Sequence, residues 1–170
     1  DTQKAEGLEV EIDEAALKWA GVTNIKYEVM TFGQLIPALL ANRIDMITAI
    51  HVTPDRKKVI SFAGPAYWYG PGIMVKTGNP DGIKTYDDLK GKQVGAIAGS
   101  AADEYLRKLG AEIVPFQTDA EQFSAVATGR VSAIVDDDTK INLFLAANKD
   151  SPLELLKGVQ VPDELIFEYG

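Results

Sequence analysis

With 170 residues, 46% of them apolar and 25% charged, the chain can build one ordinary core or two small lobes, which excludes disorder and fibre. A formal net charge of -8, with no basic run to offset it locally, leaves little attraction for nucleic acid or an anionic membrane surface, and neither is expected as a partner. No apolar stretch approaches the roughly 20 residues that span a bilayer, no charged-then-apolar leader opens the chain, and the lack of Cys removes disulfides and thiolate metal sites. A soluble chain is expected, mature or trimmed, in cytosol or periplasm.

Helical periods alternate with short β-branched runs, the pattern of a largely parallel α/β fold. Ile12, Ala15, Ala16, Trp19 and Ala20 share one helical face that Gly21 closes, and a strand over 25–30 follows. Thr31 and Gln34 have the spacing of a capping box, so a second helix starts there with Leu35, Ile36, Leu39 and Leu40 on its buried side. Pro37 lies near enough to that start for its missing N–H to cost little. A buried strand over 44–50 comes next, then a loop carrying Arg56, then a strand over 72–75 that leaves this first group. The lobe boundary is expected there, with 1–75 as lobe one, 76–165 as lobe two and 166–170 as the start of a return segment.

Beyond Thr77, Gly78, Asn79 and Pro80 the alternation restarts, with strands over 93–97, 112–116 and 131–135. Ser100 with Asp103, and Thr118 with Glu121, are spaced as N-cap pairs at the heads of the intervening helices. ALLANRIDMITAI from Ala38 echoes AVATGRVSAIV from Ala125, each a helix end, an Arg-containing turn and a buried strand. Two similar lobes would account for the echo, and so would coincidence between two common turns.

In open α/β sheets ligands settle beyond the carboxyl ends of strands. The polar and aromatic residues that fall there are Thr31, Phe32, His51, Thr53 and Arg56 from the first half, and Gly99, Ser100, Asp136 and Asp137 from the second. Arg grips a carboxylate with two parallel charge-assisted hydrogen bonds. A cation from one lobe, an acid from the other and an aromatic wall between them suit a zwitterion bearing a carboxylate and an amine. Each residue also has a plainer reading. Arg56 belongs to a short basic run that could be solvated, Phe32 could fill core, and His51, the one His of the chain, is more often structural than catalytic in such isolation. Asp136, Asp137 and Asp138 could cap a helix; as a metal site they lack a second acidic cluster and the spacing of a calcium loop. Tyr67, Trp68 and Tyr69, framed by Gly64, Pro65, Gly70, Pro71 and Gly72, suit a hinge, centred on Tyr69, Gly70 and Gly72.

Several blocks resemble a known family. GLEVEI from Gly7 followed by Ala16 and Ala20, LIPALLANRIDMI from Leu35, TPDR from Thr53, SFAGPAY from Ser61 and the stretch from Tyr86 to Gly95 occur in the order of the motifs of family 3 solute-binding proteins of ABC importers. Phe32 and GNPDGIKTY from Gly78 resemble that family's ectoine and hydroxyectoine branch. The resemblance implies a two-lobed α/β periplasmic-binding-protein type II fold with mostly parallel sheets and helices on both faces. Lobe one is incomplete against that pattern, lacking its first strand and terminal helices. It further implies that Arg56 takes the carboxylate of a zwitterionic solute, Asp137 its amine, and that Phe32 packs against its body, with Ala49, His51 and the 99–101 turn lining the same cleft. Departures are His51, where the family has Ser, Thr or, in the ectoine branch, Phe, and Ala101 or Ala102, where many members place a Thr. The implied function is capture of an amino acid or ectoine-like solute at the periplasmic or extracellular face of the membrane, by a monomer that needs no cofactor or metal, and delivery to a membrane permease. An enzyme resembling cyclohexadienyl dehydratase and the sensing domain of a larger receptor are the alternative classes.

Overall fold

The computed structural model describes residues 5–63 and 67–169, with the backbone alone for 67–69 and 167–169. Gly64 and Pro65, named above as part of the hinge, lie outside the described residues.

Five strands form the central sheet: β2 (Pro71–Lys76), β3 (Gln93–Ile97), β4 (Glu112–Phe116), β5 (Ala133–Asp137) and β6 (Leu153–Leu155), in the order β4-β3-β5-β2-β6. β3 runs parallel to β4 and β5, whereas β2 runs antiparallel to β5 and β6. The sheet is therefore mixed, parallel in the half that carries the crossover helices. β1 (Tyr67–Tyr69) pairs antiparallel with β7 (Phe167–Tyr169) in a separate two-stranded ribbon.

Period-two alternation builds a core on each face of the sheet. Ile73, Val75, Val94, Ala96, Ala133 and Val135 point to one side, where Ala102 and Leu106 of α4 (Ala101–Leu109) cover them together with Ile83, Leu89 and Leu165. Met74 and Ile134 point to the other, against Phe123 and Val126 of α5 (Asp119–Ala127) and Ile141 of α6 (Asp138–Ala147). Helices thus lie on both faces, as an α/β fold requires.

The helix boundaries follow from local chemistry. Ser100 Oγ accepts from Asp103 N at 3.1 Å, and α4 ends at Gly110 with φ 90. At the head of α5, Thr118 Oγ1 accepts from Glu121 N at 3.3 Å while Thr118 N donates to Glu121 Oε2 at 3.1 Å, a reciprocal capping box. Thr31 and Gln34 form the same box before a short 3-10 turn (Phe32–Gln34) that leads into α2 (Leu35–Leu40).

The first third of the chain departs from expectation. α1 (Leu8–Trp19) forms but buries no residue, and Trp19 and Val29 are 91% and 99% exposed. Residues 25–30 and 44–50, read as strands, form none. Strand propensity expresses packing against neighbours, and a lone extended segment gains nothing from it. The internal echo isolates the cause. Arg43 N donates to Ala38 O and Asn42 N to Leu39 O, and likewise Arg130 N to Ala125 O and Gly129 N to Val126 O, so both helices end in the same Schellman turn. After the second turn the chain enters β5 between β3 and β2; after the first, residues 44–50 enter no strand.

Residues 71–75, assigned above to lobe one, belong to the sheet of the second half, because β2 pairs with β5 from Pro71↔Asp137 to Val75↔Ala133 and buries Ile73, Met74 and Val75 at 1% exposure or less. Gly72, expected as a hinge residue, sits inside this strand. A Cβ there would meet Leu155 Cδ1, the movable end of that side chain, at 2.5 Å. The expected 131–135 strand begins two residues late, at Ala133.

Close approach accounts for Gly95 in the middle of β3. An added Cβ would lie 2.7 Å from Phe116 Cε2 and 2.9 Å from Ile134 Cγ2. Gly95→Ala is expected to cost about 1–3 kcal/mol by overpacking, read as a lower midpoint in urea unfolding; an unchanged midpoint would contradict this packing.

Candidate functional site

Strand order reverses between β3 and β5: from β3 the chain crosses through α4 to β4 on one side, then returns through α5 to β5 on the other. The crevice at the carboxyl ends of two such strands is where open α/β sheets bind ligands. A cavity of about 70 Å³ lies there. The β3 end and the head of α4 contribute Ile97, Ser100, Ala101 and Ala102; the β5 end contributes Val135, Asp136 and Asp137, and α6 contributes Lys140. Phe32 and His51 close it from the first part of the chain, with Pro71 and Leu165 completing the wall. This volume falls below the roughly 300–1,000 Å³ usual for ligand pockets, so a solute larger than a few waters requires the walls to part.

Arg56 is 6% exposed and does not line the cavity. Thr53 caps the short helix α3 (Pro54–Lys57), accepting from Arg56 N at 3.3 Å, and this aims the side chain across to the second half. Nη1 donates to His51 O at 2.9 Å and Nη2 to Gly99 O at 3.1 Å, while the guanidinium carbon stands 5.4 Å from the centre of the Phe32 ring. The fork expected to hold a carboxylate therefore ties 51 and 99 together through backbone carbonyls. Gly99 is held from behind: its N–H donates to Asp103 Oδ2 at 2.9 Å, and Arg107 Nε lies 2.8 Å from Asp103 Oδ1.

His51 Nε2 lies 3.6 Å from Asp137 Oδ1, beyond hydrogen-bonding distance. Burial, reinforced by Arg56 and then Lys140, lowers the imidazole pKa to about 4, so His51 is neutral at pH 7. Arg56 and Asp137, expected to face each other, are linked in this structure through His51, whose carbonyl meets one and whose ring meets the other.

Asp136 is 8% exposed and committed to the protein. It accepts from Asp137 N at 2.8 Å, from Lys140 Nζ at 2.9 Å, and from Gln122 Nε2. Lys140 Nζ also reaches Asp119 Oδ1 at 3.3 Å. Burial works to lower the Lys140 pKa, but Asp136 and Asp119 outweigh it and hold the ammonium well above its ordinary value. Burial in turn raises Asp119 despite Lys140. Of the adjacent acids, Asp136 is bound into this network and Asp137 faces His51 and the cavity.

The cavity thus gathers Phe32, His51, Ser100, Asp136 and Asp137. Ala49 is not in its wall and takes a left-handed backbone, φ 49. Of the hinge residues, Tyr69 pairs with Phe167 in the ribbon, and Gly70 O accepts from Asp138 N at 3.4 Å. Lys140 was missed in the sequence; Asp136 belongs to strand β5 while Lys140 lies in the first turn of α6, so their spacing carried no helical ion-pair signal. Among the described residues no three His, Cys, Asp or Glu side chains group to hold a metal ion.

The lowered His51 pKa sets a sign for pH dependence. Above the unfolded value of 6.5 the residue is neutral in both states and costs nothing; as pH falls from 6.5 toward 4 only the unfolded chain takes the proton, so stability is lost across that window. The loss reaches up to about 3 kcal/mol at this burial. Urea unfolding at pH 7 and pH 4 is expected to show it, and His51→Gln to reduce the difference; an equal difference in both proteins would place the titration elsewhere.

Comparison with known proteins accords with this geometry. Residues 1–156 match the model of the bacterial extracellular solute-binding proteins, family 3. The "Probable amino-acid ABC transporter periplasmic-binding protein y4tE" of Sinorhizobium fredii is 36% identical over 139 residues, which is 76% of this chain and 46% of that protein. The L-cystine-binding protein TcyJ of Escherichia coli is 33% identical over 140 residues, 81% of this chain and 52% of that one. The chain therefore spans about half the length of these curated relatives. Among solved structures, holo ArgBP from T. maritima superposes with a TM-score of 0.87 at 31% identity, covering 100% of this chain and 74% of that one. An ancestral arginine-binding protein bound to arginine superposes at 0.82 with 30% identity, covering 94% and 73%. With the type II periplasmic-binding-protein fold and a cavity at its switch point, the chain belongs to the bacterial extracellular solute-binding proteins, family 3.

Proposed function

We propose that this chain forms the solute-binding cleft of an extracytoplasmic protein that captures a small zwitterion, an amino acid in the first instance, and delivers it to the permease of an ABC transporter. One observation carries the reading: the cavity at the β3/β5 switch point is walled by Asp137, Ser100 and the head of α4 from one half and by Phe32 and His51 from the other. A solute seated there touches both halves, so its binding energy favours the closed arrangement, which is what a permease needs to distinguish loaded from unloaded protein.

In this reading Asp137 receives the ammonium, Arg56 and the first-turn N–H groups of α4 with Ser100 receive the carboxylate, and Phe32 packs against the body of the solute. Arg56 reaches the carboxylate by exchanging its bond to the Gly99 carbonyl, a neutral acceptor, for a charged one. Gly70, with Tyr69, carries the bend between the lobes, which divide ahead of Pro71. An ectoine-like zwitterion has less support than an amino acid: His51 stands where an aromatic box would need another ring, and one face of Phe32 is already covered by Arg56. The names of the relatives, which mention amino acids, cystine and arginine, point the same way. The words periplasmic and extracellular in those names support a place outside the cytoplasm, and action as a monomer fits a cleft built from a single chain.

Calorimetric titration with amino acids, ectoine and betaine tests the proposal. Micromolar or tighter binding of an amino acid is expected, weakened about 10–100-fold in Asp137→Asn, the worth of one hydrogen bond to a charged group. Equal affinity in that variant would remove Asp137 from the site, and no binding by the unaltered protein would remove the function.

A further inference from the structure

Ser100 and Asp103 are spaced as an N-cap pair, but the cap uses the Asp103 backbone N–H and leaves the carboxylate of Asp103 for another task. The turn between β3 and α4 receives it. Ser100 N donates to Ile97 O at 3.0 Å, and Gly99, third of these four residues, has φ 75, as a type II turn requires. Types I and II differ by a flip of the peptide between the two central residues, here Ala98 and Gly99. The N–H of that peptide donates to Asp103 Oδ2 at 2.9 Å. Asp103 is 6% exposed, and Arg107 Nε lies 2.8 Å from its other oxygen. A buried, paired carboxylate in α4 thus pins the turn in one of two forms.

That form decides what the turn presents to the first half. Gly99 O accepts from Arg56 Nη2 at 3.1 Å, and a Cβ built on Gly33 would lie 4.0 Å from Ala98 O, the carbonyl of the pinned peptide. Because Asp103 withdraws the Gly99 N–H, the donors left at the head of α4 are those of Ala101 and Ala102. Both residues line the cavity, and among the described residues no acceptor meets their N–H groups. Two adjacent N–H groups at a helix head suit a carboxylate.

We propose that Asp103 is a positioning residue of the cleft: without touching the solute, it locks the 97–100 turn so that the Gly99 carbonyl stands at Arg56 and the Ala101 and Ala102 N–H groups are left to the solute's carboxylate. The inference rests on the solute-binding reading above and deepens it. Arg107, paired with the other oxygen of Asp103, offsets a negative charge that would otherwise oppose the incoming one.

Titration of the protein, Asp103→Ala and Asp103→Asn with L-alanine, L-glutamine and L-arginine, each beside its C-terminal amide, tests this, with folding checked by thermal unfolding. The N-cap uses backbone N–H and survives both substitutions, and the Asn side-chain oxygen still offers Gly99 N–H an acceptor. The unaltered protein is expected to bind the acids about tenfold or more tightly than their amides, Asp103→Ala to lose about tenfold for the acids with little change for the amides, and Asp103→Asn to restore most of that loss. Independently of any variant, the Gly99 amide of the unaltered protein is expected to exchange with solvent about tenfold or more slowly than in an unstructured chain, read by NMR. Undiminished affinity for the acids in Asp103→Ala, an equal loss for acids and amides, no recovery in Asp103→Asn, or an unprotected Gly99 amide overturns the role of Asp103. So does an unaltered protein that does not distinguish acid from amide; in each of these cases the solute-binding reading stands. Failure of the unaltered protein to bind any of the three acids overturns that reading at this site, and the inference with it.

Discussion

The antiparallel entry of β2 between β5 and β6 is the constraint on which the rest of this structure depends. It opposes Pro71 to Asp137 and Gly72 to Asp136, so the point where the chain leaves its first part is fixed at the carboxyl end of β5. The same strand buries Ile73 and Val75 on one face of the sheet and Met74 on the other, joining the two cores. With β3 parallel on the far side of β5, the crevice between two parallel strand ends lies beside the connection that carries Phe32, His51 and Arg56 to it. β1 and β2 are consecutive, so the ribbon adjoins the end of β2 that lies beside the acids of the cleft.

Charge at this junction is managed by commitment. Arg56 is buried, and a buried guanidinium is tolerated only when its donors are met; the carbonyls of His51 and Gly99 and the face of Phe32 supply part of that. Asp136 is buried too, and Lys140, Gln122 and the next backbone N–H meet it. His51, between the two groups of charges, escapes the cost by staying neutral. The consequence is a cleft in which adjacent acids have different tasks. Asp136 is part of the frame; Asp137 faces the cavity.

Legibility in the sequence tracked the distance over which an interaction acts. The N-caps at Ser100 and Thr118 and the box at Thr31 read correctly because their hydrogen bonds close within three residues. β3 and β4 were found at their observed ends, since each is a short β-branched run bounded by turn residues within a regular β/α alternation. The segments 25–30 and 44–50 carry the same apolar patterns and fail as strands, although the Schellman turn at Ala38–Arg43 duplicates the one at Ala125–Arg130. The motif is identical and the neighbours are not. Ser100 was picked out by its place after β3, and Asp136 and Asp137 by theirs at the end of β5, whereas Phe32 and His51 were picked out by following segments that form no strand. The role of Arg56 was inferred from its chemistry alone, and its partners could not be.

By itself, then, the amino-acid sequence determined where the helices after Ser100 and Thr118 are capped and where β3 and β4 lie within the regular β/α alternation, because each of these depends on residues a few positions apart. The tertiary structure alone decided that β2 runs antiparallel, that Gly72 is packed beneath Leu155, that Arg56 reaches Gly99 across 43 positions, and that Lys140 joins Asp119 across 21. Those outcomes turn on which surfaces are brought together and which charges lose water as they meet, and no window along a chain contains that information.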